Sequence, residues 1–230
     1  MVQVKPGAGQ PVKPPASIGA AKSPMLPKGP VLPKSPVSVL QPADSQGSGY
    51  KWLGGGMDKS YYYKAGEKYG WLEFKDADVM NREVQAYQKL KPTVSDYLPE
   101  LNTKLAPPLN VTNQKQEVVQ PVRGYWIEHI PHQKTLKPKM MTMEASPHAK
   151  TIVKGLGAGQ KETLKQSLLA IRKNLRVIAD SAGELSIAIH QLTGKAYVLD
   201  YAANQAGQVG GADLANTADV GIGKLLDLAK

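Results

Sequence analysis

The chain is 230 residues long, 41% apolar, carries a formal charge of +10 and contains no cysteine. That length suits one domain with a tail, and the apolar fraction excludes a chain disordered throughout. The lack of thiols excludes disulfides, thiolate metal sites and cysteine nucleophiles, and no run approaches the eighteen apolar residues of a membrane span. The positive charge admits an acidic partner (nucleic acid, anionic lipid or an anionic cofactor such as ATP) beside the plainer reading of solubility and a basic tail.

Residues 1–48 hold ten of the eighteen prolines, five lysines, one acid (Asp44) and no aromatic residue. Such a stretch cannot bury enough apolar surface to offset its ordering entropy, so it reads as a disordered leader. A short repeat runs through it, Pro24-Met25-Leu26-Pro27-Lys28 and then Pro30-Val31-Leu32-Pro33-Lys34. A flexible linker, a secretion or chaperone-binding leader and a docking site for a proline-recognising domain all fit. The opening residues lack the apolar stretch of a Sec signal peptide, so export would use another route.

From Tyr50 the composition changes. Tyr50–Leu53, Lys59–Lys64 and Tyr69–Lys75 are rich in strand formers and predict three strands. Val79, Met80, Val84, Tyr87 and Leu90 recur at helical spacing over 78–90, with Pro92 as the expected stop. Residues 93–115 read as irregular. Two further strands are expected at 117–120 and 124–130, then a loop with at most a short helix over 131–150. Lys161 to Ala179 predicts one long amphipathic helix. A hairpin follows, with Leu185–Ile189 and Lys195–Asp200 as its arms. A Gly/Ala-rich stretch to Ala218 leads to a helix from Val220 to Lys230. Strands first and helices mostly later predict an α+β fold in two lobes.

Several residues in this order suit phosphate chemistry. Gly54, Gly55 and Gly56 fall between two strands, where glycine lets backbone N–H groups approach phosphates, although any hairpin can use such a turn. Lys75 ends the third strand and can hold phosphates as a point charge, and Glu83 on the next helix can hold that lysine; each alone also reads as a solvated charge. The strand Trp126-Ile127-Glu128-His129-Ile130 breaks at Pro131, and its backbone there can serve adenine, with Glu128 and Ile130 as the contact positions. Asp200, at a strand end, is a hard oxygen ligand suited to Mg²⁺. Asp180, at the end of the long helix, suits a carboxylate that orients or deprotonates a hydroxyl. Glu184 and Ser186 lie between them as further metal ligands. The four histidines show no zinc-binding spacing. Nucleic-acid binding is the weaker reading of the charge, since the lysines are dispersed and no RNP-like or zinc-finger motif occurs.

This ordered set resembles the protein-kinase signature over residues 50–230. It looks most like the minimal effector kinases delivered by bacterial type III secretion, the HopBF type. The resemblance implies a kinase-like domain over 49–230, with an N-lobe to about 130 and a minimal C-lobe beyond it; thirty residues follow Asp200, which suits so short a lobe. It implies ATP and Mg²⁺ as cofactors, a monomer, and phosphoryl transfer to a Ser or Thr hydroxyl of a host protein, for this type a heat-shock chaperone, in the host cytoplasm. In this reading Lys75, Glu83 and Asp180 are catalytic, Gly54–Gly56, Lys75, Glu128 and Ile130 bind the nucleotide, and Asp200 and Glu184 hold the metal. The sequence departs from the family at Ile178-Ala179-Asp180 in place of HRD, Leu185 in place of the metal-binding asparagine, Asp200-Tyr201-Ala202 in place of DFG, the lack of an APE motif, and Glu73 where a small residue is usual. A pseudokinase or a non-enzymatic effector that binds a host protein is the alternative.

Overall fold

The computed structural model describes residues 48–56, 58–141, 145–181, 185–199 and 211–230. The expected leader lies outside the described residues except for Ser48, as do Glu184 and Asp200. The chain divides into units Met1–Ala43 and Asp44–Lys230, and everything below belongs to the second. The architecture is mixed α+β, with a seven-stranded sheet, a two-stranded hairpin and five helices among the described residues. No helix among those residues is long and apolar enough to cross a membrane.

Three strands open the sheet: β1 (Lys51–Gly55), β2 (Lys59–Tyr63) and β3 (Tyr69–Phe74), joined as an antiparallel meander. Helix α1 (Ala77–Val94) follows, then β4 (Leu101–Asn102), β5 (Val111–Thr112), β6 (Val118–Val119) and β7 (Gly124–Glu128). The spatial order is β4-β7-β3-β2-β1-β5-β6, antiparallel throughout except for the parallel β1–β5 pair. Residues 93–115, expected to be irregular, thus complete the last turn of a helix and supply two short strands.

Side-chain alternation gives the sheet two different faces. On one, Tyr62, Trp71, Val111 and Trp126 form a compact cluster. Trp71 and Trp126 meet edge to face at 5.5 Å, and the Trp126 indole donates to the Ala106 carbonyl at 2.8 Å. Glu73 lies on this face too, where it accepts from the Tyr62 hydroxyl at 3.1 Å and from the Val122 N–H at 2.9 Å. The opposite face carries Lys59, Tyr61 and Tyr63 from β2, Gly70, Leu72 and Phe74 from β3, and Tyr125 from β7. Helix α1 presents Glu83 to this second face.

Asp76 caps α1 by accepting from the Asp78 N–H at 2.7 Å. The expected stop at Pro92 does not end the helix, which runs on to Val94 with the proline inside its last turn. Leu90 and Val94 are fully buried, and their burial outweighs the one backbone bond the proline forfeits so near the end.

The rest of the chain builds the larger core. Its helices are α2 (Pro147–Lys154), α3 (Ala158–Lys173), α4 (Leu175–Ser181) and α5 (Ala212–Leu228), with the hairpin β8 (Ser186–Ile189) and β9 (Ala196–Leu199). Leu164, Leu168, Ile171, Ile178, Ile187 and Ile222 pack there with Leu90 and Val94 of α1. The single helix expected over 161–179 is two, broken at Asn174, whose side-chain amide donates back to the Ala170 carbonyl at 2.9 Å. Asparagine offers the backbone such a local partner and so favours a helix end. Within the loop expected over 131–150, Ser146 caps α2 by accepting from the Ala149 N–H, with Pro147 at the first helical position. The hairpin forms as expected, with Ser186 opposite Leu199 and Ile189 opposite Ala196. The last helix begins eight residues before the expected Val220, because Leu214 and Ala218 extend its buried face through alanine-rich sequence.

Arg172 clamps α3 to α5 through a two-pronged bridge to Asp219, at 2.6 and 2.8 Å. The guanidinium holds the Asp219 carboxyl below its usual range. Helix α5 also lies close against the short 3-10 turn Pro138–Met140: a Cβ on Gly221 would come within 2.1 Å of the Pro138 carbonyl oxygen. Two positions of α5 therefore respond oppositely to alanine. Gly223→Ala meets open space and should stabilise the protein by roughly 0.5–1 kcal/mol through helix propensity. Gly221→Ala gains the same propensity but must push α5 off the turn, and should destabilise by about 1–3 kcal/mol. Urea denaturation of the two variants measures both signs.

Candidate functional site

The turn between β1 and β2 is short. Gly54 and Gly55 end β1, and the Gly56 N–H donates to the Lys59 carbonyl at 2.9 Å. A Cβ on Gly55 would come within 2.5 Å of that same carbonyl oxygen, whereas at Gly54 and Gly56 it would meet nothing within 4 Å. Glycine is thus sterically required at one position of the triplet. The other two leave the backbone open to an approaching ligand.

Lys59 starts β2 directly after this turn. Its ammonium donates to both carboxylate oxygens of Glu83, at 3.1 and 3.0 Å, and lies 5.9 Å from the centre of the Phe74 ring. Glu83 sits in the second turn of α1 with 2% of its surface exposed, and the Lys59 side chain is largely covered. A buried carboxylate is tolerable only with such a partner. The pair therefore fixes α1 to the sheet one residue beyond the glycine turn.

The expected pairing of Lys75 with Glu83 is not what forms. Lys75 lies just past β3 with its side chain exposed, its N–H donating to the Asp58 carbonyl and its own carbonyl accepting from Arg123. Strand alternation gives the reason. Phe74 points toward α1, so the next residue points away from it. Lys59 lies directly opposite Phe74 in the β2–β3 register and shares its face. The lysine that sequence spacing missed was identifiable by parity: Phe74, the chain's single phenylalanine, marks the side of β3 that faces α1.

The segment after β7 is held on several sides. The Glu128 N–H donates to the Glu100 carbonyl at 2.8 Å, and a Glu128 carboxylate oxygen accepts from the Glu100 N–H at 3.1 Å. The Ile130 side chain is buried, and its carbonyl is 2.5 Å from His132 Nδ1. At these two expected base-contact positions the Glu128 N–H and the Ile130 carbonyl are thus engaged within the protein. Between them, His129 Nδ1 lies 3.0 Å from the Tyr61 hydroxyl, and its ring stacks on Tyr63 at 3.7 Å. Burial, together with the nearby His132 and His190, pushes the His129 imidazole below its usual pKa. Burial also raises the Tyr61 phenol above its ordinary value.

Asp180 is the penultimate residue of α4, exposed, and α4 packs against α1. Gly211 approaches it from the far side of the undescribed stretch, donating its N–H to the Ala179 carbonyl at 3.2 Å. Ser186 is buried at the start of β8. Among the described residues no cluster of three His, Asp or Glu side chains suits a metal ion; Glu184 and Asp200 lie outside those residues.

The geometry makes Lys59, not Lys75, the energetically important cation. Lys59→Met strips a buried carboxylate of its ion-pair partner and should destabilise the fold by roughly 2–4 kcal/mol. Lys75→Met removes an exposed charge and should change stability by less than about 0.5 kcal/mol. Chemical denaturation of the two variants side by side checks the ranking. No protein-family model matches this chain, and a search of curated proteins found no match to it.

Proposed function

We propose that the domain is a two-lobed, protein-kinase-like phosphotransferase that moves the terminal phosphoryl group of ATP to a protein hydroxyl. One observation carries the reading: a lysine on the sheet, directly after a glycine turn, ion-paired to a buried glutamate on the helix that follows the third strand. Protein kinases use that combination, with the lysine on the third strand, to hold nucleotide phosphates. Here the lysine is on the second strand, but it reaches the same glutamate. The strand order supports the reading as well: a β1-β2-β3 meander, a helix, and β7 and β4 added beyond β3. So does the later sequence of a helix with Asp180 in its last turn followed by a hairpin whose second arm leads to Asp200.

The residues present fit a triphosphate. Gly54 and Gly56 leave the backbone accessible, and Lys59 supplies a positive charge at the end of the same turn. Lys59 would bind phosphate oxygens, and Glu83 would fix its ammonium there. Asp180 would accept the proton of the attacking hydroxyl. ATP supplies the activated phosphoryl group, and Asp200 with Glu184 would hold Mg²⁺ against it. Lys75, at the turn but on the opposite face, has no place in this arrangement beyond general positive charge. The proline-rich basic leader and the resemblance to secreted effector kinases favour a host protein as acceptor, with Ser or Thr as the hydroxyl.

The test is transfer of label from γ-labelled ATP, with Mg²⁺, to eukaryotic cytosolic proteins that include a heat-shock chaperone. Wild type and Lys75→Ala should label acceptor at comparable rates. Lys59→Ala and Asp200→Ala should each lose at least about 100-fold, the scale set by removing an electrostatic group at a transition state. Equal labelling by wild type and Lys59→Ala, or none by wild type, would overturn the proposal.

A further inference from the structure

The face of the sheet that carries Lys59 continues past it into an aromatic surface that the glycine turn and the ion pair leave unused. Tyr61 follows Lys59 by two residues on the same face, about 7 Å along the strand. Its phenol lies over Gly70: a Cβ there would come within 2.3 Å of the Tyr61 hydroxyl and 2.4 Å of the ring. Gly70 thus exists to let the tyrosine lie down against β3. The Tyr61 and His129 rings are within 10° of parallel, with centres 6.1 Å apart and the phenol oxygen 3.0 Å from Nδ1. That separation is long for rings piled face to face, and a bond between their edge atoms sets them side by side. Tyr63 backs the imidazole at 3.7 Å, and both Tyr61 and His129 keep part of their surface exposed.

Two hydrogen-bonded rings in nearly one plane, with Tyr63 stacked on the imidazole and the Gly70 backbone beneath the phenol, form a flat apolar platform. We infer that Tyr61 and His129 form the stacking platform for the base of a purine nucleotide and so select a nucleotide over a bare polyphosphate. This rests on the phosphotransferase reading, which puts the phosphates at Lys59. A base on the platform would direct its ribose and phosphates back along β2 toward Lys59 and the glycine turn. Base–aromatic stacking tolerates any base with a π-face, and purines offer the larger one. The platform replaces contact with the sheet itself, which Tyr61 covers at Gly70. It also works without the Glu128 N–H and the Ile130 carbonyl, which are engaged elsewhere.

Calorimetric titration of the full chain with ATP and, separately, with inorganic tripolyphosphate tests the assignment. Wild type should bind ATP at least tenfold more tightly than tripolyphosphate. Tyr61→Ala should weaken ATP about tenfold or more and leave tripolyphosphate unchanged, whereas Lys59→Ala should weaken both. Gly70→Ala is the second probe. Its methyl group displaces the phenol without removing it, and should reproduce the selective loss; thermal melts confirm that each variant is folded. ATP binding within twofold of wild type in both Tyr61→Ala and Gly70→Ala, with Lys59→Ala still weak, would overturn the platform and leave the phosphate site standing. Equal losses for the two ligands in Tyr61→Ala would also overturn it. No ATP binding by wild type would overturn both the platform and the phosphotransferase reading.

Discussion

The Lys59–Glu83 ion pair is the constraint on which the first half of the structure depends. A carboxylate exposed by only 2% must either lose its charge or find a counter-charge, and the nearest strand supplies one at 3.0 Å. The consequence is positional. Helix α1 cannot slide or roll on the sheet without leaving that carboxylate unmatched, so its other buried residues, Leu90 and Val94, are delivered to the larger core in a fixed register. One helix thereby links the sheet to the larger core, its early turns held by charge and its later turns by apolar packing.

Much of this was readable from the residues themselves. The three-strand meander, the helix after it, the strand over 124–128 and the later hairpin all follow from periodicity and turn residues. Glu83 stood out as well, through the order of glycine turn, strand lysine and helix glutamate. Its partner was misread because chain order was used where face mattered. Lys75 has the better spacing from Glu83, but a strand sends consecutive side chains to opposite sides. Parity also resolves Glu73, which looked misplaced beside a nucleotide: it lies on the tryptophan-bearing face, bonded to Tyr62 and to the Val122 N–H. The Tyr61–His129 contact joins residues 68 apart and left no local trace; only Gly70, a glycine inside a strand, hinted at a close approach.

The second half went differently. Where the sequence offered strong amphipathic spacing, as over 161–179, it suggested more continuity than exists, because one asparagine able to satisfy its own backbone is enough to end a helix. Where it offered glycine and alanine up to Ala218 it suggested no helix, although α5 begins at Ala212; further on, Gly221 is what lets α5 approach the Pro138 turn so closely. Small side chains carry little hydrophobic signal in a sequence, yet they decide how near two backbones can come.

The parallel pairing of β1 with β5 has a mechanical consequence. The start of the strand leading into the glycine turn is flanked on both sides, by β2 and, at Lys51 alone, by β5, with the Thr112 N–H bonded to the Tyr50 carbonyl at 2.8 Å. An interior strand cannot peel from its sheet the way an edge strand can. The sheet is therefore stiffest where β1 begins, whereas Gly54 and Gly55 pair with β2 alone among the described residues and are the pliant end of the strand.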